Sequence, residues 1–353
     1  MLILARRAGH QAWRRQQGQP PPPGRQVASA GSERRRACSA AAAAPPPPSS
    51  FDLPAAQAAA AARPPRFYVP QSLTALTAGA CLTLDAEESR HASRALRLRE
   101  GAGVEVCDGG GRTAVGVIAG EGSGGGGARG GGAPPLISIS LTAPPTLTPW
   151  SGPAWVVAVG AGGGLSRGGR DDWLVEKCVE LGAAGLWPLG TARAPWGVEK
   201  KSASKEGKKE EGGNAAAATP ALPPGIPARW GRVARAAVKQ SLRSHGLGWR
   251  APARVDEGVV LEAVAASPLA LVAAAGAPPI AAVLADARRG GWREGDEAGA
   301  QPPCLLFVGP EGDFTGAEVE GLVAAGARLV GLGHHRLRVE TAAVAGLAAV
   351  MLL

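Results

Sequence analysis

The chain has 353 residues, of which 52 are Gly and 31 are Pro, and only 4% are aromatic. The hydrophobic fraction of 45% is ordinary for a globular protein, whereas so many Gly and Pro disfavour regular structure. We therefore expect a globular core interrupted by low-complexity segments. No apolar run reaches the roughly 18 residues of a bilayer span, and the five Cys lie too far apart for a disulfide scaffold or a structural zinc site. We therefore expect neither a membrane partner nor a metal.

Positive charge is concentrated at the start of the chain. Residues 1–66 hold ten Arg against two acids, which accounts for eight of the nine net positive charges. Polyproline and polyalanine runs in this stretch cannot bury enough apolar surface to fold. An Arg-rich, acid-poor leader is typical of organelle import, so we predict that residues 1–65 are a transit peptide, of chloroplast rather than mitochondrial type. A basic arm that stays attached and touches RNA is the alternative.

The first predicted helix begins at a cap. Asp85 followed by Glu88 indicates a helix start, and the pattern predicts a helix to about Leu98. Its basic side chains recur at helical spacing, so we predict one RNA-binding face made of Arg90, Arg94 and Arg97.

Two predicted strands follow this helix. Segments 104–107 and 113–118 are rich in Val and Ile, and a run of Gly joins them, which is typical of a β-hairpin. We predict a small β-barrel over residues 66–145.

Strands and helices alternate through residues 150–353, which indicates an α/β domain with a mainly parallel sheet. Two segments are too biased in composition to pack, and we treat 199–227 and 287–303 as insertions. The predicted strands are 155–159, 185–189, 269–273, 281–285, 305–308 and 328–332. The predicted helices are 172–181, 229–244, one that starts at Thr315, and 339–353.

The helix over 229–244 has an apolar side and a basic side. Trp230 and Ala237 face the predicted core. The opposite side predicts a second contact with RNA phosphates, made by Arg232, Arg235, Lys239 and Arg243.

Two glycine loops follow neighbouring strands near the end of the chain. Gly309-Pro-Glu-Gly312 joins a buried strand to a helix whose start has a capping box, and Leu332-Gly333 follows the next strand. Loops at the carboxyl ends of such strands mark ligand sites in open α/β sheets. Arg338, at the start of the last helix, is unfavourable beside the helix dipole and so indicates a functional role. A surface Arg paired with Glu340 or Glu311 is the structural alternative.

These motifs, together with Asp172-Trp-Leu-Val-Glu-Lys177, resemble the signature of the ribosomal RNA small subunit methyltransferase E family of the SPOUT superfamily. The resemblance implies a PUA-like RNA-binding β-barrel and a SPOUT α/β domain with a deep trefoil knot. It also implies a homodimer that methylates uracil N3 in small-subunit ribosomal RNA, free or in the assembling subunit, with S-adenosyl-L-methionine as methyl donor.

Carried over by motif, the resemblance implies a cofactor pocket made of Gly309, Glu311, Gly312, Leu332, Gly333, Leu337, Arg338 and Thr341. We predict that Arg338 stabilises negative charge on the uracil, and that Glu311 or Glu340 accepts the N3 proton. The chain departs from the family pattern at four places, which are Ser166-Arg167, Asp313, His334-His335 and Val339.

Because of these departures, two other functions stay open. One is a catalytically inactive RNA-binding or ribosome-assembly factor, and the other is a SPOUT methyltransferase with a different RNA target. A nicotinamide oxidoreductase is less favoured, since residues 160–167 lack the third glycine of a dinucleotide fingerprint.

Overall fold

The structure, a computed structural model, describes residues 63–122, 136–160, 169–194, 225–292 and 302–353. Nearly all of the predicted leader lies outside these ranges, as do Ser166 and Arg167. In the ranges described, no helix is both long enough and apolar enough to cross a membrane.

The N-terminal domain is built on one six-stranded sheet. Its strands pair in the order β1-β3-β4-β5-β2, with β6 beside β4, and only the β1–β3 pair is parallel. In β5, buried Ile137 and Ile139 alternate with half-buried Ser, so one face of the sheet covers the core. The strands are Arg66–Tyr68 (β1), Cys81–Thr83 (β2), Gly103–Cys107 (β3), Arg112–Gly122 (β4), Leu136–Leu141 (β5) and Thr146–Leu147 (β6).

Helix α1, Ala86–Arg90, begins at the predicted cap, where the Asp85 carboxylate accepts hydrogen bonds from the Glu87 and Glu88 amides. It continues only through a π-helical turn, His91–Ala95. The predicted extension to Leu98 is wrong, because Arg97 has a left-handed φ of 52° that ends helical geometry.

The C-terminal domain is an α/β sandwich. Its sheet has the order β10-β8-β7-β12-β11-β13, with β9 beside β8, and all of these pairs are parallel. The strands are Trp155–Gly160 (β7), Gly185–Gly190 (β8), Gly248–Trp249 (β9), Ala253–Arg254 (β10), Ala270–Ala273 (β11), Cys304–Val308 (β12) and Arg328–Val330 (β13).

Helices cover both faces of this sheet, so the central strands β7 and β12 are buried along their whole length. One core joins the sheet to α2, α3, α5 and α7, and a second joins it to α4 and α6. The helices are Arg170–Glu180 (α2), Ile226–Gln240 (α3), Gly258–Ala266 (α4), Ile280–Arg289 (α5), Gly316–Ala324 (α6) and Val339–Leu352 (α7).

One predicted element and three predicted boundaries in this domain are wrong. The predicted strand 281–285 is helical, because Ile280, Leu284 and Ala287 are spaced to bury one helix face. Helix α5 therefore runs into the predicted insertion 287–303, and α3 starts inside the predicted insertion 199–227. Helix α3 also ends at Gln240, since Leu242 has a φ of 58°.

The two domains are joined by a hairpin tip and by an ion pair. At the β3–β4 turn, the Gly111 amide donates to the Ser244 carbonyl at 3.0 Å, and the Gly246 amide donates to the Gly109 carbonyl at 2.7 Å. The Lys239 Nζ atom of α3 lies 2.6 Å from Oε1 of Glu88 on α1. The N-terminal sheet is thus fixed against α3 and the segment that follows it.

Candidate functional site

A cavity of about 1270 Å³ opens at the carboxyl ends of three neighbouring strands. Strands β12, β11 and β13 are adjacent and parallel, so the loops that follow them meet at one edge of the sheet. The cavity is lined by residues of loops 273–279, 308–313 and 331–339, and by Arg193. This is the position at which open α/β sheets bind ligands.

The cavity brings together most of the residues that the motifs singled out, namely Gly309, Glu311, Gly312, Leu332, Gly333, Leu337 and Arg338. Two predicted residues do not belong to its lining. Glu340 is only 7% exposed, in the first turn of α7, and Thr341 is exposed on that helix. Thr341, predicted to bind the cofactor, and Glu340, predicted as a possible proton acceptor, therefore lie outside this lining, and their roles stay predictions.

Gly309 and Asp313 fit together closely within the loop after β12. A β-carbon on Gly309 would lie 2.8 Å from Oδ1 of Asp313 and 2.9 Å from the Phe314 amide nitrogen. Asp313 has a φ of 66°, and its Oδ1 accepts a hydrogen bond from the Phe314 amide at 2.9 Å. Asp tolerates left-handed geometry better than most residues, so Asp313 can occupy a position where the family usually has Gly.

Two arginines bind backbone carbonyls of this loop. The Arg193 guanidinium donates to the carbonyls of Gly312 and Phe314, and the Arg336 guanidinium donates to the Glu311 carbonyl at 2.6 Å. Arg193 was missed by the sequence analysis. Its position directly after β8 was the available signal, because β8 is parallel to β12 and ends at the same edge of the sheet.

The loop after β11 was also missed. The Gly331 amide donates to the Pro278 carbonyl at 2.7 Å, and the Ile280 amide donates to the Gly331 carbonyl at 3.1 Å. A β-carbon on Gly331 would collide with the Ala277 carbonyl. Residues 273–279 are mostly Ala, Gly and Pro, and therefore gave no side-chain signal.

The basic face predicted on the first helix is exposed but not continuous. Arg90 and Arg94 lie on the helical segment, whereas Arg97 follows it in left-handed geometry, and all three are exposed. Their role in RNA binding stays a prediction.

The basic face predicted on α3 needs correction at two residues. Lys239 is paired with Glu88, which is buried, so its charge is already compensated. Arg243 donates to the carbonyls of Val179 and Ala183 at 3.1 and 2.7 Å, and burial lowers its pKa to about 10. Both side chains hold the protein together rather than forming an exposed RNA surface.

The other two arginines of that face remain accessible. Arg232 is exposed, and the Arg235 guanidinium carbon lies 5.9 Å from the centre of the Tyr68 ring. Arg232 and Arg235 are thus the two residues of the predicted basic face for which no hydrogen bond or ion pair within the described part of the chain is found.

Comparisons with known proteins agree with this architecture. A family model for an RNA methyltransferase PUA domain matches residues 84–125, and a model for an RNA methyltransferase domain matches residues 226–351. Among solved structures, the ribosomal RNA small subunit methyltransferase E of Neisseria gonorrhoeae, bound to S-adenosyl methionine, has a TM-score of 0.55 at 20% identity. That match covers 81% of this chain and 96% of the other.

A second solved structure, the putative methyltransferase Lpg2936 of Legionella pneumophila with bound SAM, has a TM-score of 0.56 at 22% identity. It covers 82% of this chain and 97% of the other. Both structures share the fold.

Proteins related in sequence identify the family, whereas the solved structures identify only the fold. The ribosomal RNA small subunit methyltransferase E of Mycobacterium bovis is 31% identical over 276 residues, which are 78% of this chain and 87% of the relative. The Bacillus subtilis protein of the same name is 26% identical over 196 residues, 53% of this chain and 62% of the relative. The resemblance inferred from the motifs is thereby confirmed, and the chain belongs to the ribosomal RNA small subunit methyltransferase E family.

Proposed function

We propose that this protein transfers a methyl group from S-adenosyl-L-methionine to N3 of a uridine in small-subunit ribosomal RNA. The observation that carries the proposal is the cavity at the ends of β11, β12 and β13, in a chain of this family. The PUA and RNA methyltransferase domain matches support RNA as the substrate class.

The residues around the cavity fit this cofactor. Its volume of about 1270 Å³ is ample for a small molecule. Gly309 and Gly333 have no side chain, so a ligand can approach their backbone closely, which suits an adenosine group. Glu311 contributes an exposed carboxylate that complements a cationic group. S-adenosyl-L-methionine, when bound, supplies an electrophilic methyl group on a sulfonium cation.

Arg338 has the chemistry needed for the uracil. N3 of uracil carries a proton, and its loss leaves negative charge on the neighbouring carbonyl groups. Arg338 is exposed, lines the cavity and precedes the first turn of α7. A guanidinium here stabilises that charge as it develops, and it also holds the base in place for methyl transfer.

Glu311 is our preferred proton acceptor. It is exposed and lines the cavity, whereas Glu340 is buried outside the lining. A general base must come within hydrogen-bond reach of the proton that it removes, directly or through one water. Of the two carboxylates, Glu311 meets this requirement better.

The first test is calorimetric titration of S-adenosyl-L-methionine into the full chain, followed by incubation with unmodified small-subunit RNA and mass spectrometry of the nucleosides. We expect stoichiometric cofactor binding and formation of 3-methyluridine. A folded chain that binds RNA without the cofactor would instead be an inactive RNA-binding or assembly factor. A different methylated nucleoside would identify a methyltransferase with another RNA target.

We also propose a homodimer with a trefoil knot in each α/β domain, as family membership implies. Helices α2 and α7 pack together, and each leaves apolar side chains exposed, Trp173 on α2 and Leu352 at the end of α7, which suits contact with a second copy. Sedimentation equilibrium should give twice the chain mass. A monomer at micromolar concentration would contradict the dimer.

For location we propose the chloroplast, with the mitochondrion as the alternative. The proposal rests on the Arg-rich, acid-poor composition of residues 1–65. A fluorescent protein fused after residue 65 should enter plastids in plant cells. Retention in the cytosol would exclude the transit peptide.

A further inference from the structure

A second cavity, of about 490 Å³, lies between the N-terminal domain and helix α3. Tyr68 and Glu87 line it from the N-terminal domain, and Arg232, Arg235 and Trp249 line it from the α/β domain. We call this cavity the interdomain cleft. It is separate in the fold from the cavity at the strand ends, and it shares no lining residue with it.

Trp249 presents a fixed aromatic surface in the interdomain cleft. Its ring stacks on Trp230 with a centroid distance of 5.6 Å and an angle of 20°, yet 42% of Trp249 remains exposed. Trp230 is buried, and its indole nitrogen donates to Asp171 at 3.1 Å. Asp171 in turn forms an ion pair with Arg229 at 2.6 Å. The Trp230 ring is thus held in place by Asp171, and the Trp249 ring stacks on it.

Two arginines line the same cleft as Trp249. The Arg235 guanidinium lies over the Tyr68 ring, and Arg232 is exposed one helical turn earlier on α3. Within the described part of the chain, Arg232 has no hydrogen-bond or ion-pair partner. Glu87 is the one acidic side chain in the lining, so the cleft keeps a net positive charge. This combination favours an anionic ligand with a flat group.

The walls of the interdomain cleft are fixed before any ligand arrives. Glu88, next to Glu87 in sequence, forms its ion pair with Lys239, which lies one turn beyond Arg235 on α3. The hairpin tip at Gly109 is bonded to Gly246, another lining residue. A preformed cleft costs little ordering entropy on binding.

We infer that the interdomain cleft binds one unpaired nucleotide of the RNA, with its base stacked on Trp249 and its phosphate near Arg232 and Arg235. Aromatic platforms flanked by Arg suit single strands, because a base in a duplex cannot offer its face. The inference rests on the proposed function only in taking RNA as the ligand. It requires neither cofactor binding nor methyl transfer.

The test is fluorescence anisotropy of the full chain with a labelled ten-nucleotide single-stranded RNA, without cofactor. Trp249→Leu should weaken binding about 5- to 100-fold, the range expected for loss of one stacked base. Trp249→Phe, which keeps an aromatic face, should recover most of the affinity. The matched control is Val323→Ala, because Val323 on α6 is 43% exposed, close to the 42% of Trp249, and lies outside the cleft. It should bind as the unchanged protein does.

An abasic strand of the same length separates stacking from charge. The effect of Trp249→Leu should disappear on the abasic strand, while Arg232→Glu should weaken binding to both strands. Arg232 is exposed, so this variant tests the cleft even if Trp249→Leu does not fold. Unchanged RNA affinity in both Trp249→Leu and Arg232→Glu would overturn the inference. Failure of cofactor titration, by contrast, would refute only the proposed methyl transfer.

Discussion

The Oδ1 atom of Asp313 fills the space beside the α-carbon of Gly309, 2.8 Å from where a β-carbon on Gly309 would stand. The two residues bracket the loop that follows β12, and this loop lines the larger cavity. Asp313 keeps its left-handed backbone partly through its own hydrogen bond from the Phe314 amide. Asp313 can therefore hold a left-handed backbone although it is not glycine, whereas Gly309 has no room for a side chain.

Gly309→Ala should reduce affinity for S-adenosyl-L-methionine at least about tenfold, because the added methyl group meets Asp313 and the Phe314 backbone and shifts the loop. Gly316→Ala is the matched control, since a β-carbon there meets nothing within 4 Å. Calorimetry on both variants checks this. Equal affinities would show that the loop after β12 does not hold the cofactor.

Asp313→Ala should lower the free energy of unfolding by about 1 kcal/mol, since Ala must adopt a positive φ without the hydrogen bond to Phe314. Asp313→Gly should equal or exceed the unchanged protein by up to about 1 kcal/mol. Urea denaturation of both variants measures the difference. If Ala and Gly are equally stable at this position, the backbone conformation is not left-handed in solution.

Arg338→Ala should slow single-turnover methyl transfer about 100-fold or more, with a much smaller change in cofactor affinity. The reason is that its guanidinium acts on charge that develops only as N3 reacts. Arg338→Lys should recover part of the rate, and Arg328→Ala, an exposed Arg paired with Asp286, serves as the control. Full-rate transfer by Arg338→Ala would remove Arg338 from the mechanism.

Lys239→Met should lower the free energy of unfolding by about 3 kcal/mol, because it leaves the buried Glu88 carboxylate without its partner. The double variant Glu88→Leu, Lys239→Met should regain most of that loss. RNA affinity of the folded Lys239→Met protein should fall by no more than about threefold, since the charge is already paired within the protein and the Gly246–Gly109 hydrogen bond still holds the cleft. A large drop in RNA affinity with normal stability would restore Lys239 as an RNA ligand.

The sequence patterns correctly predicted those elements whose structure depends on residues close together in the chain. The capping box of Thr315 and Glu318 is present as expected at the start of α6, and buried apolar runs became strands β7, β8 and β12. The predicted strand 281–285 went wrong because its short Ala- and Val-rich run fits either period, and only packing against the sheet selects the helix.

The features of the candidate sites that the sequence could not predict depend on contacts between residues far apart in the chain. Arg232 and Arg243 look alike on a helical pattern, yet α3 ends between them, and Arg243 turns inward to the carbonyls of Val179 and Ala183. Arg193 reaches the loop after β12 from 119 residues away in the chain. No spacing rule links residues so far apart before the strand order is known.

The hairpin tip bonded to Ser244 and Gly246, together with the Glu88–Lys239 pair, sets the distance between the N-terminal sheet and the larger cavity. This fixed distance would let the protein select a nucleotide by its position along a bound strand. Under the proposed function, an RNA held by the N-terminal domain would bring to the cavity only a nucleotide at one fixed distance along the strand, so target choice would depend on length as well as on sequence.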